Sequence, residues 1–308
     1  MKKLSIVIPV FNEESSINDM VSELNNVFGN DNSIEIIFVN DGSTDSSQKK
    51  LEDCIKRYDL LKLVNLFRNY GKSTALQAGI EVSNGDLIAT LDSDLQDNPE
   101  ELKKLILEIE KGFDVVTGWK ENRKDSFEKR FASKIFNFFV KLFSGLKIND
   151  SNTGIKVIKK EVATSLNLYG GRHRYIPLLA HQKNYKVTEV AVEHRERKYG
   201  ISKYGPERYK DGFFDFLTIL FLGKYMDRPL HFFGGLGFTS ILFGFLSEIY
   251  VLYLKYNLGH SFQQHIALII FGSLLIITGL QLFTFGLIGE IIVNRNQKAK
   301  NYIKEIID

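Results

Sequence analysis

A chain of 308 residues, 44% of them hydrophobic, is long enough for one large domain with a substantial core plus an appendage. Its 40 lysines and arginines stand against 37 acids, and a net charge of +3 leaves no global nucleic-acid signature. The single cysteine, Cys54, excludes an internal disulfide, fits a reducing compartment and reads as a packing residue.

The opening MKKLSIVIPVFNEE places two lysines before an apolar stretch, but the stretch is short and ends in Pro, Asn and two Glu. It reads as a first strand and not as a signal peptide. Strand-like runs then alternate with helix-period segments: LSIVIPV and a helix near 14–28, IEIIFV and 46–58, LKLVNL and 72–82, DLIATL and 99–110, then FDVVTG. Repeated β-α units predict an α/β fold, a mostly parallel sheet with helices on both faces. Ligands of such sheets bind beyond the carboxyl ends of the strands. Four polar clusters fall there: Asn12-Glu13-Glu14, Asn40-Asp41-Gly42-Ser43, Arg68-Asn69-Tyr70-Gly71-Lys72, and Asp92 to Asp97. No Gly-x-Gly-x-x-Gly follows the first strand and no Gly-Lys-Ser/Thr loop is present, which disfavours a nicotinamide enzyme or a P-loop NTPase.

In LDSDLQDNPE, the stretch Asp97-Asn98-Pro99-Glu100 reads as a helix start, with Pro at the first helical position and acids in the first turn. Asp92 and Asp94 have no such explanation. Side chains two apart in an extended segment point the same way, and two like charges repel unless a hard divalent cation lies between them. The alternative is a solvated acidic turn. His173, His181 and His194 lack metal-ligand spacing and read as structural.

Residues 126–145 carry Phe127, Phe131, Ile135, Phe138, Phe139 and Leu142 on one helical face with lysines and an arginine elsewhere, a pattern suited to a membrane interface or to a core-packing helix. A similar segment, 206–222, leads into the first of two long apolar stretches, Phe232 to Leu254 and Ile266 to Val293. Each is long enough to cross a bilayer of about 30 Å, and Glu248, Gln281 and Glu290 are their few interruptions. Lys224 and Arg228 precede the first, Arg295, Lys298 and Lys300 follow the second, and the connecting YNLGHSFQQH has no lysine or arginine. Both ends are therefore expected on the cytoplasmic side. The basic segment from Arg197 to Tyr204 offers a guanidinium fork and a lysine point charge, both suited to phosphate. An ordinary basic run drawn to anionic lipid is the competing reading for Arg195 and Lys198.

Six stretches in order, IVIPVFNEE, VNDGSTD, RNYGKSTALQAGI, LDSDLQDNPE, DSNTGIKVIKKE and RKYGISKYG, followed by two spans, resemble inverting glycosyltransferase family 2 with its GT-A fold. Within it the chain is similar to the polyprenyl-phosphate glycosyltransferases, such as bactoprenol glucosyltransferase and dolichol-phosphate mannose synthase. The resemblance implies that Pro9, Phe11 and Glu13 hold the nucleotide base and Asp41 the nucleoside, while Ser43 to Asp45 cap the next helix. Asp92 and Asp94 form the Asp-x-Asp motif, with Asp94 on an Mg²⁺ or Mn²⁺ ion. Arg197, Ser202 and Lys203 match the phosphate-binding pattern, and Arg123 lies in an acceptor-side flap. Asp150 matches the catalytic carboxylate. A phosphate acceptor with a second pKa of about 6 is already largely dianionic, however, so Asp150 is expected to orient the acceptor site and its basic residues, or else only to cap the turn into Gly154. The chain departs from the pattern at Ile155 and at Trp119-Lys120, where many relatives have Arg.

The expected organisation is a cytoplasmic GT-A domain over 1–205, a juxtamembrane amphipathic segment over 206–229, and a membrane domain over 230–308 with spans near 232–254 and 266–290. The expected partners are a nucleotide sugar, a polyprenyl phosphate and the membrane, with no nucleic acid and with room for a homo-oligomer. The expected reaction is inverting transfer of one sugar, glucose from UDP-glucose as first choice, to undecaprenyl phosphate at the cytoplasmic face. Rival readings are GDP-mannose or another UDP-sugar as donor, and a non-enzymatic nucleotide-sugar-binding scaffold. A processive polysaccharide synthase would carry a Gln-x-x-Arg-Trp segment, and the only tryptophan is Trp119.

Overall fold

The computed structural model describes residues 3–120, 146, 148–150, 152–196, 198–199 and 228–296. Contacts divide the chain into two compact units, Met1–Ile219 and Leu220–Asp308. In the first, seven strands form one sheet: β1 Leu4–Val10, β2 Ile34–Asn40, β3 Leu61–Asn65, β4 Leu87–Thr90, β5 Val115–Trp119, β6 Lys156–Lys159 and β7 Val187–Ala191. Their order is β3-β2-β1-β4-β6-β5-β7. All neighbours run parallel except β6, which is antiparallel to both β4 and β5.

The unbroken apolar runs of β1 and β2 are buried along their length, as central strands with both faces covered must be. Alternate residues feed opposite cores. Ile6, Ile8 and Phe38 pack with Leu24 and Leu102 on one face, and Val7, Ile37 and Val39 with Leu76 and Ile80 on the other. One acid interrupts this. Glu35, at the end of the strands away from their carboxyl edge, accepts hydrogen bonds from Ser5 Oγ, Lys62 Nζ and the Asn84 amide, each 2.6 Å long. Burial opposes its charge, yet these donors hold its carboxyl down at about 2.

The flanking helices are α1 Ile17–Phe28, α2 Ser47–Ile55, α3 Lys72–Val82 and α4 Glu101–Glu110, followed by the short α5 Lys160–Ser165 and α6 Ile176–Gln182. The third lies where its period predicts. The first starts three residues late because the chain before it is tied to the loop before α2. The Asn12 amide donates to Ser43 Oγ (3.0 Å), the Thr44 amide to Asn12 Oδ1 (2.7 Å), and the Glu13 amide to Ser47 Oγ (2.9 Å). Ser43 therefore caps the first loop and not α2. Asp45 does the expected work there, accepting the Ser47 amide at 2.9 Å in an Asx turn.

The second unit holds α7 Pro229–Leu258 and α8 Ile266–Asn296, an antiparallel hairpin turned at Gly259, whose φ is +71°. Both helices are long and apolar enough to cross a membrane, and only 17% and 11% of their most apolar windows are buried. Core helices of a soluble domain are mostly buried, so this exposed apolar surface makes both helices candidate membrane spans. Glycines set their close approach. A Cβ on Gly279 would stand 2.6 Å from the Gly237 carbonyl oxygen, and one on Gly244 2.7 Å from that of Gly272.

Candidate active site

β1 and β4 are parallel neighbours, and the chain order reverses beside them, which opens a crevice past their carboxyl ends. A cavity of about 340 Å³ lies at that edge. Pro9, Phe11 and Glu13 line it from the end of β1, Asp41 from β2, Asn69, Gly71 and Lys72 from the entry to α3, and Asp92, Ser93 and Asp94 from β4. The four polar clusters of the sequence thus do meet at one place.

Asp41 is almost fully buried and accepts the backbone amides of Tyr70 at 2.8 Å and Gly71 at 2.9 Å. Burial raises its carboxyl above the ordinary value, and the two amides oppose that rise. The residue after it must be glycine. Gly42 has φ +66°, and a Cβ there would stand 2.4 Å from the Arg68 carbonyl carbon. Asp41 thereby fixes the loop that presents Gly71 and Lys72 to the cavity.

The carboxylate of Asp92 closes on the ammonium of Lys72. Burial disfavours the Asp92 charge, but Lys72, with Lys120 and Lys156 behind it, overrides this and holds the carboxyl well below the usual range. Asp94 lies two residues on, its Oδ1 accepting the Gln96 amide at 3.3 Å. The turn then passes through Leu95, whose φ of +62° is strained for a branched residue and whose side chain is sunk in the core.

Asp97 is not the helix-start acid that the sequence implied. Helix α4 begins only at Glu101, and Asp97 is buried with its Oδ1 2.7 Å from Lys120 Nζ. Its backbone bridges that of His194. Lys120 is thus tied down. Burial works against its charge, and Asp97, Asp92 and Asp150 nonetheless raise its pKa.

Asp150 is buried, with its Oδ1 3.2 Å from the Asn152 amide, an Asx turn on the way to Gly154. From there the chain enters β6, where Lys156 is buried with its Nζ on the Thr153 carbonyl. Burial and the Lys72 charge depress this lysine to about 8, against the pull of Asp92, Asp150 and Asp97. Three lysines and three aspartates therefore interact through space, two of them, Lys72 and Asp92, in the cavity wall. Of the lysines only Lys72 lay in a sequence cluster. Lys120 and Lys156 stood in stretches that the family resemblance singled out, but nothing local signalled their burial, which is a property of the fold.

His173 does not stand in a ligand group. Its Nδ1 lies 2.9 Å from Ser73 Oγ, and burial, with Lys72 and Arg174 nearby, keeps the ring neutral. Arg195 and Lys198, the two cations with a competing lipid reading, pair instead with Glu23 at 2.9 Å and Asp19 at 2.5 Å, both on α1. Arg123, Arg197, Ser202, Lys203 and the amphipathic segments 126–145 and 206–222 lie outside the described residues.

No cluster of three or more metal-ligating side chains forms among the described residues. Asp92 and Asp94 could supply two carboxylates, which suits a hard cation whose other ligands are phosphate oxygens and water. Their place beside Lys72 and the N-terminus of α3 can accept a cation and a polyanion together.

Comparison with known proteins places these features in context. A family model described as glycosyl transferase family 2 matches residues 5–165. Dodecaprenyl-phosphate galacturonate synthase of Rhizobium johnstonii is 33% identical over 99% of this chain and 93% of its own. Undecaprenyl-phosphate 4-deoxy-4-formamido-L-arabinose transferase of Pseudomonas syringae pv. syringae is 35% identical over 94% of this chain and 85% of its own. Among solved structures, glucosyl-3-phosphoglycerate synthase of Mycobacterium tuberculosis with Mn²⁺ and uridine-diphosphate-glucose aligns with a TM-score of 0.58 at 17% identity. That alignment covers 70% of this chain and 78% of the other, and shows a shared fold.

Proposed function

The chain belongs to glycosyltransferase family 2, and from that membership we propose that it transfers one sugar, with inversion, from a nucleoside-diphosphate sugar to the phosphate of a polyprenol. The observation that carries this reading is the meeting of Asp92 and Asp94 with Gly71 and Lys72 around one cavity, in a chain that also holds two apolar helices. Relatives that match almost the whole chain and are named for polyprenyl-phosphate acceptors support it. Both ends of the hairpin face the cytoplasm on this reading, because the flanking lysines and arginines lie there.

Glucose was the sequence-based first choice of sugar, and it has no support among these relatives, whose names carry galacturonate and 4-deoxy-4-formamido-L-arabinose. We therefore place an acidic or amino-derived sugar ahead of glucose as donor.

Pro9, Phe11 and Glu13 form the wall for the base, and Asp41 holds the nucleoside side of the cavity together through the Tyr70 and Gly71 amides. Asp92 and Asp94 would hold Mg²⁺ or Mn²⁺, with Asp94 as its direct ligand by its match to the family's Asp-x-Asp motif. When bound, the ion stabilises negative charge on the departing nucleoside diphosphate. Lys72 supplies a positive charge at the same wall. Asp150 orients the acceptor side, and Arg197, Ser202, Lys203 and Arg123 are assigned to the acceptor phosphate by their match to the family pattern.

The test is transfer by the full chain in vesicles containing undecaprenyl phosphate. Radiolabelled UDP-glucose and nucleotide-activated galacturonate and 4-deoxy-4-formamido-L-arabinose are offered in turn, and the lipid product is extracted. A labelled lipid phosphate sugar with one donor is expected. Nucleotide-sugar binding without transfer from any donor would leave a non-catalytic binding protein.

A further inference from the structure

Near the carboxyl end of β4 one row of side chains across the sheet is polar. The register sets Thr90 of β4 opposite Lys156 of β6, Lys156 opposite Thr117 of β5, and Thr117 opposite Glu189 of β7. Neighbours paired in register share a face, so Lys156 and Glu189 stand on one face, two strand spacings or about 10 Å apart, with Thr117 between them. Both are bound to the same turn. Lys156 Nζ donates to the Thr153 carbonyl. Glu189 accepts at the other end: the Asn149 amide on Oε2 at 2.7 Å, the Asn149 side-chain amide on Oε1 at 2.5 Å, and the Asp150 amide on Oε2 at 3.3 Å. The cation holds a carbonyl, the anion holds N–H groups, and Asp150 lies between the two.

Glu189 fell in none of the sequence clusters, and an acid on β7 has an ordinary explanation, since that strand ends the sheet and charge there discourages edge pairing. Such an acid faces water or a cation. Glu189 instead makes no ion pair among the described residues, and both its oxygens are occupied by N–H groups of two consecutive residues. Asn149 offers its backbone and its side chain to the two oxygens at once, which leaves the carboxylate and that residue a single mutual orientation. The residue so fixed is the one directly before Asp150.

We infer that Glu189 is a positioning residue, which grips Asn149 through both carboxylate oxygens and thereby sets where the Asp150 carboxylate points. Asp150 is then held from two sides, by the Glu189 grip on its amide and by its own Oδ1 on the Asn152 amide. Turning that backbone would carry the Asp150 charge away from Lys120 and Lys156, on both of which it acts. The effect on rate rests on the acceptor-side role of Asp150 proposed above, and the grip does not.

Glutamine at 189 keeps the size but sets an NH₂ group against donors that need an acceptor, whereas aspartate keeps both oxygens on a shorter stem. The full chain is assayed in vesicles with undecaprenyl phosphate and whichever nucleotide sugar labels it. Glu189→Gln and Asn149→Ala should each lower kcat about tenfold and leave KM for the nucleotide sugar unchanged, and Glu189→Asp should recover part of the loss. Because Glu189 acts through Asp150, Glu189→Gln should cost no more than about twofold further in the Asp150→Asn chain. Hydrogen exchange at the Asn149 and Asp150 amides should quicken about tenfold in Glu189→Gln, with β7 still protected. Should Glu189→Gln fail to fold, Asn149→Ala, which alters no strand, carries the same kinetic test. Wild-type kcat in these variants, a full further tenfold loss on top of Asp150→Asn, a raised nucleotide-sugar KM, or unchanged exchange would each overturn the positioning role. If no donor labels the lipid with the wild type, the proposed transfer falls and exchange decides the grip: faster exchange upholds it, and unchanged exchange ends it.

Discussion

Gly154 lies against Asp92 so closely that a Cβ on it would stand 2.5 Å from the carboxyl carbon and 2.6 Å from one oxygen. The contact is held from behind, where Thr90 Oγ1 donates to the Gly154 carbonyl at 2.6 Å and locks the chain leaving the Asp150 turn onto β4. The obstructing group is the end of a flexible side chain, so Gly154→Ala should fold normally and swing the Asp92 carboxylate off Lys72. Displacing a reacting-site group by about 1 Å can reduce turnover about 100-fold, which is the loss expected here. The metal concentration for half-maximal rate should rise as well. Wild-type turnover with an unchanged melting temperature would show that the Asp92 position does not matter.

Lys156 links pH to stability. Its pKa falls from 10.5 in the free side chain to about 8 in the fold. Between those values the unfolded chain binds the extra proton and the folded chain does not, so raising the pH through 8 favours the fold until 10.5. The full effect is about 3 kcal/mol. Asp92, held low, and Lys120, held high, titrate outside that window. Melting temperatures of wild type and Lys156→Met, followed in detergent from pH 7 to 10.5, should diverge in favour of the wild type as the pH climbs. Parallel curves would mean that Lys156 keeps its ordinary affinity for protons.

The same residue shows where the sequence runs out. Strands β1 to β5 announce themselves as apolar runs between turn residues, and α3 begins and ends where its period says. Strands β6 and β7 do not. The first is Lys-Val-Ile-Lys, and its partners β4 and β5 lie far back in the chain and run the other way. Its neighbours, and hence the burial of Lys156, come from the fold alone. Asp97 was misread for a similar reason, since its partner Lys120 lies 23 residues on and only the sheet brings the two together. The carboxylates at the cavity were legible because they follow a strand that could be read locally, although that strand ends at Thr90 and they stand in the turn beyond it.

Asp94 gives the metal test. Asp94→Ala should leave the domain folded, because the side chain lies at the cavity rim and outside the apolar core. Transfer should fall to background in the variant, and in the wild type with excess EDTA, and return in the wild type on adding Mn²⁺ or Mg²⁺. Full activity in chelator would remove the ion from the proposed reaction.

Asp150 remains the residue on which orientation and proton transfer must be told apart. Its Oδ1 accepts the Asn152 amide, and its charge acts on both Lys120 and Lys156. Asparagine keeps an oxygen for the Asx turn and loses only the charge, so Asp150→Asn separates the two roles where alanine would destroy both. An acceptor phosphate with a second pKa of about 6 is mostly dianionic at neutral pH and carries its own nucleophilic electrons. If Asp150 works by steadying the lysines and the turn, Asp150→Asn should lower kcat by about tenfold and keep the acidic limb of the pH profile near 6, since that limb belongs to the substrate. Asp150→Ala should be worse, and should also lower the melting temperature by releasing the turn. A general base predicts the opposite pattern. The neutral rate then collapses in Asp150→Asn, the acidic limb disappears with it, and asparagine and alanine become equally inactive.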